Sequence, residues 1–134
     1  MLMLRRTGLL GFAVLAFAPR TGRAQAAHAH AANGGQVQKI GSYEVEFVVR
    51  GGQIILYVLD EQDRPVDAAQ FRANAVVLAR GNEQRSVDLA PAGENRLAAR
   101  LEFPVDGRVR ATVALRAAAG TELGRARFAV DQAR

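Results

Sequence analysis

A chain of 134 residues with no cysteine, and with methionine only at Met1 and Met3, is long enough for one domain. Once its first residues are removed it has no sulfur ligand for Cu(I), blue-copper or iron–sulfur centres. The net charge of +5 misleads: Arg5, Arg6, Arg20 and Arg23 all lie in a segment that reads as removable, and the remaining 14 basic and 13 acidic residues leave only +1, which argues against nucleic acid as a partner.

The N-terminus carries Arg5-Arg6, an apolar run over 8–18 and then Ala24-Gln25-Ala26. A positive region, an apolar region and an A-x-A site make a secretory signal peptide over 1–26. The apolar run is about half of the ~20 residues that a membrane helix requires. The expectation is therefore an exported protein with no membrane span after cleavage. Arg5-Arg6 leaves both the general secretory and the twin-arginine route open. Cleavage after Ala26 would take 26 residues from 134 and leave 108, enough to bury a core without disulfides. Residues 27–34 read as a flexible arm, and 35–134 as the folded domain.

Short strands separated by turn residues fill that domain. The first covers Gln36–Ile40 and stops at Gly41-Ser42. The second, 43–49, puts Tyr43, Val45, Phe47 and Val49 on one face and Glu44, Glu46 and Val48 on the other. This alternation marks a half-buried strand. Gly51-Gly52 then turns the chain as a hairpin. The third strand, Gln53–Leu59, is apolar on both faces, with Ile54, Leu56 and Val58 opposite Ile55, Tyr57 and Leu59. A charged turn follows over 60–65. Asp67 is placed to cap a single helical turn that delivers Phe71 to the core. Further strands are expected over 74–80, 85–89, 96–103, 108–116 and 122–130, the fourth of them with Val109, Ala111, Val113 and Leu115 inward. Seven or eight such strands predict an all-β fold, an antiparallel immunoglobulin-like β-sandwich. Arg108, Arg110 and Arg116 alternate outward, and with interleaved acids they read as a mixed, soluble surface.

Catalytic groups are scarce. No histidine follows His30, so no Ser–His pair can form inside the domain, and the chain is expected not to be an enzyme. Glu44 and Glu46 share a strand face about 7 Å apart, a spacing open to a carboxylate pair, although a solvated strand face is the expectation. Asp60, Glu61 and Asp63 share a turn, read as a surface turn rather than a calcium loop. His28 and His30 are the distinctive pair. With cleavage after Ala26 the chain begins Ala27-His28-Ala29-His30, and the α-amine, a backbone amide nitrogen and the imidazoles form a donor set for Cu(II) or Ni(II), and less well for Zn(II). The alternative is an arm whose histidines bind nothing.

The sequence also resembles a known group. The His-bearing arm is followed by Gly34-Gly35, Tyr43-Glu44-Val45-Glu46-Phe47-Val48 and Ile54-Ile55-Leu56-Tyr57. Arg64-Pro65-Val66 and Leu89-Ala90-Pro91-Ala92-Gly93-Glu94-Asn95-Arg96-Leu97 come after them. This pattern is similar to small periplasmic proteins found with heavy-metal efflux systems, and to the N-terminal domain of some periplasmic adaptor subunits of those pumps. The resemblance implies a periplasmic location, divalent metal binding or delivery, and an efflux-pump subunit as partner. That group commonly has His-Gly-Gly where this chain has Asn33-Gly34-Gly35, so only His28 and His30 carry over as ligands.

Two functions follow. One is a metal-binding accessory that works through His28 and His30. The other is a metal-independent docking module, in which Ile55, Tyr57 and Leu59 form an apolar surface for an envelope or efflux-pump protein.

Overall fold

The computed structural model describes residues 31–133. Eight strands form: β1 (Gln36–Ile40), β2 (Tyr43–Arg50), β3 (Gln53–Leu59), β4 (Phe71–Leu78), β5 (Gln84–Pro91), β6 (Arg96–Arg100), β7 (Arg108–Ala117) and β8 (Glu122–Asp131). They are ordered β1-β2-β3-β6-β5-β4-β7-β8, and every ladder is antiparallel. The pairings β3–β6 and β4–β7 join strands three apart in sequence. These are the crossings that define the two sheets of an immunoglobulin-like Greek key, with β1, β2, β3 and β6 on one side and β4, β7 and β8 on the other. β5 belongs to both: it pairs with β4 over residues 84–89 and with β6 at Ala90 and Pro91.

Local chemistry sets the turns. Gly51 and Gly52 both adopt positive φ, 59° and 75°, as a two-residue hairpin whose twist matches its strands requires. Asp67 accepts a hydrogen bond from Ala69 N (2.9 Å) and caps the turn Ala68–Gln70, which delivers Phe71 to the interior, as expected. β4 starts at Phe71, three residues before the expected 74. The reason is tertiary: Phe71, Arg72 and Ala73 pair with Ala117, Arg116 and Leu115 of β7, and small Ala73 hides the alternation that would reveal this in sequence. β6 stops at Arg100, short of the expected Phe103, where the Arg85 guanidinium lies 4.7 Å from the Phe103 ring centre.

The core lies between the sheets. Val45, Phe47 and Val49 of β2 and Ile54, Leu56 and Val58 of β3 face Ala73, Ala75 and Val77 of β4, with β7 and β8 contributing Val109, Val113, Leu115, Phe128 and Val130. Phe47 stacks on Phe128 across the gap (5.0 Å between centroids, 15° between planes), and Tyr43 meets Phe71 edge to face at 5.0 Å. Each such pair adds about 0.5–1.5 kcal/mol to the area it buries.

The open side between β1 and β8 is nearly closed, which gives the sandwich a barrel-like outline. No ladder runs across it. Instead the Gln36 side-chain oxygen accepts from Ala129 N (2.8 Å), and the Gln38 amide donates to Arg127 O (3.1 Å). Where β1 ends short of β2, the end of the chain continues the closure: Ala133 N donates to Val49 O (2.7 Å) and Ala133 bridges Arg50 in parallel. Among the described residues no helix is long and apolar enough to cross a membrane.

Two tests follow from this packing. Phe47→Ala removes a fully buried ring and its stack, and should cost about 3–5 kcal/mol, measured as a lowered urea midpoint at unchanged slope. Gln36→Ala should speed hydrogen exchange at Ala129 N selectively, while the amides of β4 keep their protection.

Candidate functional site

β2 is the unusual strand. Six of its eight residues are buried in succession, Glu44 to Val49, on both faces. The sequence-based expectation of a solvated outer face is overturned: Glu44 is 8% exposed and Glu46 only 4%. The cover is the chain before β1. Residues 31–35 lie over Glu46, which accepts from Asn33 N (2.9 Å to Oε2, 3.2 Å to Oε1), Asn33 Nδ2 (2.9 Å to Oε1) and Gly35 N (2.8 Å to Oε2). Arg50 Nη2 donates to Asn33 O at 3.0 Å from the same strand face. Gly35 is required by close approach, since a Cβ there would collide with the backbone carbonyl of Phe47. The described part of the arm, 31–34, is therefore held against the domain by a buried carboxylate.

Register places the rest of the face. Val37, Glu46 and Tyr57 form one cross-strand row, and Lys39, Glu44 and Leu59 the next. Between them lies a cavity of about 270 Å³ lined by Glu44, Glu46, Tyr57 and Leu59, with Asn33 and Ala32 of the arm at one wall and Asn95 at another. The structure thus brings together two of the three residues expected to dock a partner, Tyr57 and Leu59, with two carboxylates. Ile55 is half-buried one row away, opposite Val48 and Ala98, and does not line this cavity. His28 and His30 lie outside the described residues.

The charge arrangement limits the chemistry. Both Glu46 oxygens already accept hydrogen bonds, so this carboxylate acts first as an anchor. Glu44 supplies the second acidic group of the cavity wall. Among the described residues no three His, Cys, Asp or Glu side chains gather as a metal-binding group. The acidic turn after β3 is occupied by its own backbone. Asp60 Oδ1 accepts from Gln62 N (2.8 Å) and Arg64 N (2.9 Å), and Oδ2 from Arg64 Nε (3.1 Å). The Arg64 backbone hydrogen bond, aided by that of Gln62 and by the Arg64 guanidinium, holds the Asp60 carboxyl below its ordinary value against the opposing effect of desolvation. This is the surface turn expected from sequence.

The sequence pattern singles out Tyr57 and Leu59 as apolar residues on the second face of β3, but not the clamp. Asn33, which stands where the resembling group has a histidine, donates to Glu46 instead. The signal was a buried-strand pattern interrupted by two glutamates, followed from the other side by Asn-Gly-Gly. Comparison of the chain with protein families, curated proteins and solved structures finds no match.

The clamp predicts its own disruption. Glu46→Ala strands two backbone N–H groups and should lower stability by about 2–3 kcal/mol, the scale of hydrogen bonds to a charged group. In amide-resolved spectra the resonances of Asn33 and Gly35 should shift and lose exchange protection, while those of β7 stay fixed. Unchanged protection at Gly35 would show that Glu46 does not hold the arm.

Proposed function

We propose that this protein is an exported, non-enzymatic accessory that binds a divalent metal, Cu(II) or Zn(II), through His28 and His30, from the acidic face of the β1–β2–β3 sheet. The observation that carries this reading is the Glu46 clamp. It fixes Asn33 beside the cavity that Glu44 and Glu46 line. Four residues lie between His28 and Asn33, at most about 18 Å of extended chain, a length over which the arm could bring an imidazole to the Glu44 carboxylate. Nitrogen donors from the arm and a carboxylate from the sheet suit Cu(II) or Zn(II). A free peptide of the same arm would have to order itself on binding, whereas a tether anchored at its root loses less freedom. The periplasm and a heavy-metal efflux system are the setting implied by the strand-and-turn resemblance described above.

The second reading, a metal-independent docking module, is favoured by a different observation. Tyr57 and Leu59 are half-buried and line a cavity on the sheet face. An aromatic and an aliphatic group flanked by carboxylates form an anchor for an apolar, basic segment of an envelope or pump protein.

Calorimetric titration of Cu(II) and Zn(II) into the protein, its N-terminus fixed by mass spectrometry, tests the first reading beside a variant lacking residues 27–30. One-to-one binding that disappears in the variant is expected, with Glu44→Gln weakening it about tenfold. Absence of binding to the intact protein sinks the metal reading. Capture of a pump subunit that survives deletion of the arm but is lost in Tyr57→Ala would establish the docking reading instead.

A further inference from the structure

The larger cavity, about 420 Å³, lies on the opposite sheet, across the outer faces of β4, β7 and β8, and the metal reading makes no use of it. Its floor is apolar where an outer sheet face is ordinarily polar. Val76 and Leu78 of β4 are only half-buried, and Ala129 of β8 continues the apolar surface. Its rim is cationic. Arg110 stands opposite Ala129 and Arg127 opposite Thr112, so the two arginines are diagonal neighbours. Diagonal positions on one sheet face are about 7–8 Å apart, within reach of long side chains. Two guanidinium groups can therefore converge on one point above the floor.

These two charges are uncompensated. The arginines two residues away on the same strands have acids: Arg108 pairs with Asp131 at 3.1 Å and Arg125 with Glu122 at 2.9 Å. Asp131, the acid diagonal to Arg110, is thus already engaged. Among the described residues neither Arg110 nor Arg127 has an ion-pair partner, and both are exposed. The other polar side chains lining the cavity are Gln36, Gln84 and Thr112. The Gln36 oxygen is occupied by Ala129 N, leaving its N–H₂ to donate, and the Gln84 amide and Thr112 hydroxyl can each donate as well as accept. Both formal charges in the cavity lining thus favour an anionic acceptor, and as like charges they repel until an anion separates them.

We propose that this groove is a binding site for an amphiphilic carboxylate of medium chain length. The carboxylate sits between the Arg110 and Arg127 guanidinium groups, which match its geometry in a bidentate fork, and the hydrocarbon tail lies along Val76, Leu78 and Ala129. The volume falls within the range of about 300–1,000 Å³ usual for small-molecule sites lined mainly by apolar groups. The site is separate from the Glu46 face and stands whether or not His28 and His30 bind metal.

The test is calorimetry of the natively processed protein with sodium dodecanoate below its micelle concentration. Butanoate, which has the head without the tail, and dodecyltrimethylammonium, which has the tail with a cationic head, serve as controls. Saturable one-to-one binding of dodecanoate is expected, at least tenfold tighter than either control, with amide shifts centred on Val76, Leu78 and Ala129. Arg110→Gln combined with Arg127→Gln should weaken dodecanoate at least tenfold at an unchanged melting temperature, because neither side chain has a partner to lose. No saturable binding of dodecanoate, equal binding of the cationic amphiphile, or shifts centred elsewhere would each overturn the assignment. The comparison of head groups needs no variant and decides the question even if the double substitution perturbs folding.

Discussion

Burial of β2 on both faces is the constraint from which much of this architecture follows. Its inward residues, Val45, Phe47 and Val49, join the two sheets in a protein that has no disulfide to do so. Its outward residues include two glutamates that the fold removes almost entirely from water. A buried carboxylate is costly unless donors surround it, and the ladder cannot supply them, because backbone N–H groups of a strand point sideways to its neighbours. The chain before β1 supplies them instead. Asn33 and Gly35 present two backbone donors and one amide to Glu46, so the cost of burying the carboxylate is offset by ordering the arm. The same contacts that stabilise the strand place the root of the arm at the acidic cavity.

Closure of the sheets bears equally on how a partner can be recognised. β5 pairs with both halves, and the β1–β8 side is bridged by Gln36, Gln38 and the Ala133 tail. Glutamine amides here take the place of ladder hydrogen bonds and cover the edge that would otherwise invite strand addition. Recognition by β-augmentation is thereby disfavoured, and the outer faces become the surfaces available. They differ in character: one carries Glu44 and Glu46 with Tyr57 and Leu59, the other an arginine-rimmed apolar groove.

Most of the fold was legible in the sequence because its strands alternate and its turns carry glycine, proline or aspartate. β1 and β3 have the bounds read from their patterns, and Val109, Ala111, Val113 and Leu115 face inward as read. The strand ends that were misplaced lie where alanine blurs the contrast between faces, as at Ala73, or where an apolar residue such as Phe103 is used by a side-chain contact outside the ladder. The site was less legible. Tyr57 and Leu59 showed as surplus apolar residues on a two-sided strand. Glu46 did not show as an anchor, because alternation reports which residues share a face and not what covers that face. A segment of arm folded back over β2 is a tertiary fact with no period of its own.

Arg110 and Arg127 illustrate the same limit from the other direction. In sequence each is one of many arginines in residues 27–134, where 13 acids nearly balance 14 bases, and the even mixture argues for a solvated surface. Register breaks that mixture. It pairs Arg108 with Asp131 and leaves Glu122 to Arg125, so the acids near this part of β7 and β8 are consumed by other arginines. A charge count averages over the whole surface, whereas a ligand meets only the few side chains that the ladder aligns. Two unpaired cations over Val76 and Leu78 form a locally specific environment within residues 27–134, whose 14 basic and 13 acidic residues nearly balance, and it is this local imbalance, not the net charge, that determines which ligand chemistry the face can accept.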